Sequence, residues 1–309
     1  MPCRLFLMNG NTVSASVADQ ASATRQVSWA ANHLTLAGMH WPGPAGTRQE
    51  PPVVLLHGWL DNCLSFVRLA PELARTADVY AVDMAGHGLS DHRAAAQSYA
   101  LVDYVTDLAS LLDQHFAGPV RLVGHSLGGI VAALYAAAFP EKVHRLVLID
   151  SLGPLTRAPE QYVEQLRRGI NKRLAGSGAA AVYPSVEAAA KVRMGGLSPL
   201  SRDAAMALVP RNLRAVPGGY QWRTDAKLRH PSLMMMSDSQ VLASLRALRM
   251  DTLLVRAQGG MLADREGFRE RLAAVAGLQE VIVAGSHHCH LDGDTEPVTE
   301  AIREFLFSA

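Results

Sequence analysis

The chain is poor in cysteine, aromatics and long apolar runs, and has no excess of either charge sign; each scarcity narrows what it can be. Three cysteines, Cys3, Cys63 and Cys289, are odd in number and irregularly spaced. They form neither a disulfide framework nor a zinc-ligand pattern and predict a reducing, cytoplasmic setting. The longest nearly apolar stretch, Leu127–Phe139, falls well short of the ~20 residues that span a bilayer, so no membrane insertion is expected. Near the start, Leu5–Met8 breaks at Asn9 and Gly10 before reaching the roughly 7 to 15 apolar residues of a secretory signal. With 29 Lys+Arg against 28 Asp+Glu and a net charge of +1, the surface as a whole is not tuned to nucleic acid or anionic lipid. What is present is a 309-residue chain that is 49% hydrophobic. That suffices for a large core, and the expected partner is a small molecule.

Strand-like and helix-like segments alternate along most of the chain. Gln26–Trp41 reads as one or two antiparallel strands, and Val53–Leu56, Val79–Val82, Val120–Val123 and Leu146–Ile149 as short buried ones. Tyr99–Phe116 and Gly128–Phe139 have helical apolar spacing. Continuous apolar strands separated by helices specify a mostly parallel sheet covered on both faces. Residues 1 to about 25 show no periodicity and read as a lead-in. From Gly153 to about Arg246 the texture changes to amphipathic helices, at Pro159–Leu174, Ser185–Arg193 and Pro199–Val209, then a loop-like Ala215–Met236 with no strong β run. Strand patterns return at Thr252–Val255 and Glu280–Val283, followed by a helix near Pro297–Phe305. The expected organisation is an α/β core over 1–152 and 247–309, interrupted by a helical cap over 153–246.

Gly124-His125-Ser126-Leu127-Gly128 fits G-x-S-x-G, in which a serine sits on a tight turn between strand and helix. The bare string is expected by chance about 0.1 times in such a composition, so its setting must carry it. Here it follows a predicted strand and opens an apolar helix, where small residues at 124 and 128 permit the sharp turn. A serine needs a base, and Ser286-His287-His288-Cys289-His290 follows the last predicted strand. His287 is the expected base, and His288 and His290 are expected to be packed loop residues. The triple histidine has no partner cluster of ligand spacing, so no metal or other cofactor is predicted. The amides of Leu127 and of Trp59, in His57-Gly58-Trp59 after a strand, are the expected oxyanion donors. Asp83 and His87, in Asp83-Met84-Ala85-Gly86-His87-Gly88-Leu89-Ser90, fit a buried turn network.

Taken together these motifs resemble the α/β-hydrolase superfamily from about residue 27 to the last helix. His57-Gly58-Trp59-Leu60-Asp61-Asn62 and Gly218-Gly219-Tyr220-Gln221-Trp222-Arg223 are similar to its serine hydrolase-like proteins. The resemblance implies an α/β-hydrolase fold, with the 153–246 segment as a cap over the serine, and ester-type hydrolysis. It places the triad acid soon after Thr252–Val255, but Arg256–Leu262 contains no carboxylate, and the usual position falls near Gly260. Asp150 at the end of Leu146–Ile149 is the favoured acid, since haloalkane dehalogenases place theirs at that strand end; Asp264 is the alternative. Dehalogenases and epoxide hydrolases of the superfamily use an aspartate nucleophile, so Ser126 points instead to an acyl-enzyme and to ester or thioester substrates. A carbon-carbon bond hydrolase or lyase on the same residues, or an inactive binding protein, is the competing reading. Trp59, Leu127, Tyr162, Trp222 and Met234–Met236, Met235 at their centre, are expected to line the substrate cavity. Arg167, Arg168, Lys172 and Arg173 read as a solvated basic face of a cap helix.

Overall fold

The computed structural model describes residues 24–46, 50–262 and 267–308. Most of the expected lead-in and Asp264 lie outside them. The central sheet has eight strands in the order β1-β2-β4-β3-β5-β6-β9-β10. These are β1 (Arg25–Ala31), β2 (Leu34–Trp41), β3 (Val53–Leu56), β4 (Val79–Val82), β5 (Val120–His125), β6 (Val143–Ile149), β9 (Asp251–Gly259) and β10 (Gln279–Ser286). β2 pairs antiparallel with β1 and β4, and every other pair is parallel. The sheet thus places the ends of β5, β6 and β9 side by side, with His125 opposite Ile149 and Ile149 opposite Val255.

The strand pleat explains why the parallel strands are apolar throughout. Successive side chains point to opposite faces, so Val54 and Leu56 join one core layer while Val53 and Leu55 join the other. The first layer is closed by α2 (Leu101–His115) and α3 (Leu127–Ala138), through Leu108, Leu111, Val131 and Tyr135. The second is closed by α1 (Ala70–Leu73) and α9 (Glu296–Phe307), through Leu73, Ile302 and Leu306. No helix among the described residues is long and apolar enough to cross a membrane.

Between β6 and β9 the chain forms α4 (Tyr162–Ala175), α5 (Val186–Arg193), α6 (Arg202–Leu208), the strands β7 (Leu213–Val216) and β8 (Gly219–Trp222), and α7 (Asp238–Arg246). Ser185 and Ser201 start α5 and α6 by accepting the amides of Ala188 and Ala204, as helix N-caps do. The antiparallel hairpin β7–β8 corrects the loop expected over 215–236. Its strands are only four residues long and half-exposed, too short to show a periodic signal. Gly218, read as a loop residue, is in the hairpin turn at φ +85°. Val241 and Leu245 of α7, within the segment expected to belong to the cap, are buried in the main core with Val131 and Leu254. The helix α8 (Phe268–Ala274) then connects β9 to β10.

Candidate active site

Ser126 stands between β5 and α3 with φ +51° and ψ −115°, a backbone conformation costly for a residue with a Cβ. The surrounding glycines make the turn possible by closeness. A Cβ on Gly128 would lie 2.0 Å from the Leu56 carbonyl oxygen, and one on Gly124 would lie 2.4 Å from that of Gly128. The Gly128 amide donates to the His57 carbonyl at 3.0 Å, so the loop after β3 is drawn against the serine turn. Leu127 is the first residue of α3, and its amide is among the donors that a helix N-terminus leaves without an intrahelical acceptor. The favourable end of the helix dipole adds to that position.

His287 follows β10, and its Nδ1 is 2.6 Å from Oδ2 of Asp150. The same oxygen accepts the Met261 amide at 2.8 Å. Asp150 is itself at φ +43°, directly after β6. The acid favoured from sequence therefore meets the histidine. Gly260, where the family pattern leads one to expect a carboxylate, explains how it fits: a Cβ there would fall 2.4 Å from Asp150 Oδ1 and Oδ2. The carboxylate just after β6 fills the space that a side chain just after β9 would occupy. With Nδ1 turned to a carboxylate, the ring holds its proton there and presents Nε2 as an acceptor. Among the described residues no hydrogen bond joins Ser126 Oγ to this ring, a contact that tightens in reacting complexes.

Ser126, Asp150 and His287 border one cavity of about 1120 Å³. Its walls are mainly apolar, with Leu101 and Val105 from α2, Ile130 and Leu134 from α3, and Met261 after β9. Trp59, Leu127 and Met234–Met236 line it as expected from sequence. Trp222 does not. It packs in the cap's own apolar cluster, against Tyr183 at 5.8 Å between ring centroids, because the hairpin turns it inward to the cap. Tyr162 also lies away from the cavity lining and is exposed. The Trp59 indole donates to the Leu228 carbonyl of the cap at 3.0 Å. It also borders a neighbouring cavity of about 400 Å³ shared with Arg173, Lys227 and Tyr99.

Behind the cavity several other histidines are buried in hydrogen-bond networks. His57 Nδ1 lies 2.7 Å from the Gly58 carbonyl while Nε2 accepts the Met84 amide. Asp83 accepts the amides of Cys63 and Leu89 and binds Arg211 of the cap. Burial above all, and then the neighbouring His57 imidazole, lower His87 to about 3. Sequence reasoning missed a buried group at the rear of the serine turn. His125 Nε2 is 2.9 Å from the His287 carbonyl oxygen, and Asp61 Oδ2 is 2.9 Å from His288 Nε2. The other Asp61 oxygen binds Arg193 at 2.9 Å. Burial alone would raise the Asp61 carboxyl, but His288 and Arg193 outweigh it and hold it well below the usual carboxylate range. Asp61, His125 and His288 bring metal-ligand atoms within 4.8 Å of one another, yet the guanidinium already supplies this carboxylate with a cation.

The comparisons agree with this architecture. A family model described as alpha/beta hydrolase fold matches residues 51–189. A serine hydrolase-like protein of Danio rerio is 32% identical over 283 residues, covering 88% of this chain and 85% of the relative. A pimeloyl-[acyl-carrier protein] methyl ester esterase of Chromobacterium violaceum is 36% identical over 161 residues, 52% of this chain and 59% of the relative. Among solved structures, a hypothetical protein of Pseudomonas aeruginosa PAO1 superposes with a TM-score of 0.85 at 38% identity, covering 91% of this chain and 98% of that one. The chain belongs to the α/β-hydrolase family and, within it, resembles the serine hydrolase-like proteins.

Proposed function

We propose that the protein is a serine esterase or thioesterase for an apolar acyl substrate. The observation that carries this reading is the 2.6 Å contact of His287 with Asp150, on the wall of the cavity that also holds Ser126. His287 Nε2 takes the Ser126 proton as Oγ attacks the substrate carbonyl, and Asp150 stabilises the imidazolium formed. The amides of Leu127 and Trp59 receive the developing oxyanion. Collapse expels the alcohol or thiol, protonated by His287, and leaves an acyl-enzyme. Water, deprotonated by the same ring, then releases the acid and restores Ser126. The methyl ester esterase relative supports ester chemistry, and the apolar walls support an acyl chain in the cavity. Cys63 and Cys289 are buried free thiols. With the low cysteine count they support a cytoplasmic setting.

Hydrolysis of p-nitrophenyl esters of graded acyl length tests the assignment. A medium or long chain is expected to raise kcat/KM over acetate by about tenfold or more, since each buried methylene contributes about 0.8 kcal/mol. Equal turnover of all lengths would contradict the placing of the acyl group in this cavity.

A further inference from the structure

The base of the proposed reaction opens a turn, 287–292, in which residues 288–291 are buried outside the cavity lining. Core groups hold part of it: His125 at the His287 carbonyl and Ser65 Oγ at His290 Nε2, both at 2.9 Å. The rest is held from the cap. Arg193, at the end of α5, binds Asp61 Oδ1 and lies 3.2 Å from His288 Nε2, the nitrogen that also meets Asp61 Oδ2. Leu291 is fully buried in the cap's apolar cluster with Leu200, Ala204 and Leu208. The Ser201 amide, at the start of α6, donates to Asp292 Oδ2 at 2.7 Å. Residues 288, 291 and 292 are thus each tied, directly or through one side chain, to cap elements that lie roughly ninety residues away in sequence.

We propose that Arg193 is a positioning residue for His287: by neutralising Asp61 it fixes His288, and through His288 it couples the seating of the cap to the placement of the base. The inference rests on the reading of Ser126 and His287 given above. The side chains of Asp61 and His288 are nearly inaccessible and that of Arg193 is only slightly open. Removing the guanidinium therefore leaves a buried carboxylate with one partner, and that imbalance is relieved by movement of Asp61 and of the His288 ring it holds. His288 is covalently adjacent to the base, where a misplacement of about 1 Å costs on the order of 100-fold in rate. A cap that docks through Arg193 completes the catalytic arrangement as it covers the substrate, the logic of assembly on closure.

The test compares the wild type with Arg193→Met, which keeps the aliphatic stem, and Arg193→Lys. The rate of covalent labelling by a fluorophosphonate, kcat and KM for a small ester, and Tm are measured together. Arg193→Met is expected to slow labelling and kcat by about 10- to 100-fold with KM changed by less than about threefold, and Arg193→Lys to recover most of the loss. A purely structural residue would lower Tm and leave labelling and kcat at wild-type values, which overturns the proposal. Should Arg193→Met fail to fold, Asp292→Asn, which weakens an exposed cap link, is expected to slow labelling a few-fold, and an unchanged rate there overturns it equally. Failure of the wild type to label would instead overturn the serine hydrolase reading itself.

Discussion

Ser126 occupies a backbone conformation that residues with side chains seldom adopt, and it is held there by neighbours that cannot be enlarged. The Ser151 hydroxyl donates to its carbonyl at 2.7 Å, and its own amide reaches the Ile149 carbonyl at 3.2 Å, so strands β5 and β6 grip the turn together. Strain that is so firmly over-determined concentrates at functional sites. In the proposed mechanism Asp150 has the complementary task of selecting a tautomer. Asp150→Asn keeps the volume but places an amide opposite Nδ1, which favours the wrong ring proton. We expect kcat for ester hydrolysis to fall by roughly 10⁴ with the fold intact. Activity within tenfold of wild type, at unchanged Tm, would remove Asp150 from the mechanism.

At the scale of elements, the structure explains which features were legible in the sequence. The strands β3, β5 and β6 were readable because burial on both faces demands unbroken apolar runs, as in Val53–Leu56. The serine turn was readable because its two glycines answer a steric demand within five residues. Asp150 is readable only by its place at a strand end; the space that admits its carboxylate, at Gly260 just after β9, lies 110 residues further along. The Asp61–His288 contact spans 227 residues and Arg193–Asp61 spans 132, distances over which no local pattern operates. Trp222 misled because an aromatic in a cap has two apolar places to go, the cavity or the cap's own core, and the β7–β8 hairpin decides between them. Helix α7, inside the span read as cap, carries Val241 and Leu245 into the main core, a choice made by packing across the fold.

At the scale of the whole molecule, several histidines are enclosed where burial disfavours their charged form. His57, His87, His125 and His290 are buried, and burial first of all pushes each below the ordinary imidazole value. In the unfolded chain they titrate near 6.5. Below that pH the unfolded state binds more protons than the folded one, so stability is lost as pH falls and is independent of these groups well above 6.5. Chemical denaturation at pH 7.5 and 5.5 is expected to show a marked loss at the lower value, up to about 1.4 kcal/mol per pH unit for each proton taken up. Equal stability at both would contradict the neutral burial of this group. The same cluster lies behind the serine turn and the proposed base, with His125 Nε2 2.9 Å from the His287 carbonyl oxygen.

The central claim is that a cap-covered cavity holds a serine made nucleophilic by His287. It is tested most directly by reacting the intact protein with a fluorophosphonate and locating the adduct by peptide mass spectrometry. The account predicts one adduct, on Ser126, absent from Ser126→Ala and strongly slowed in His287→Ala. An adduct on another residue, or undiminished labelling of Ser126→Ala, would contradict it.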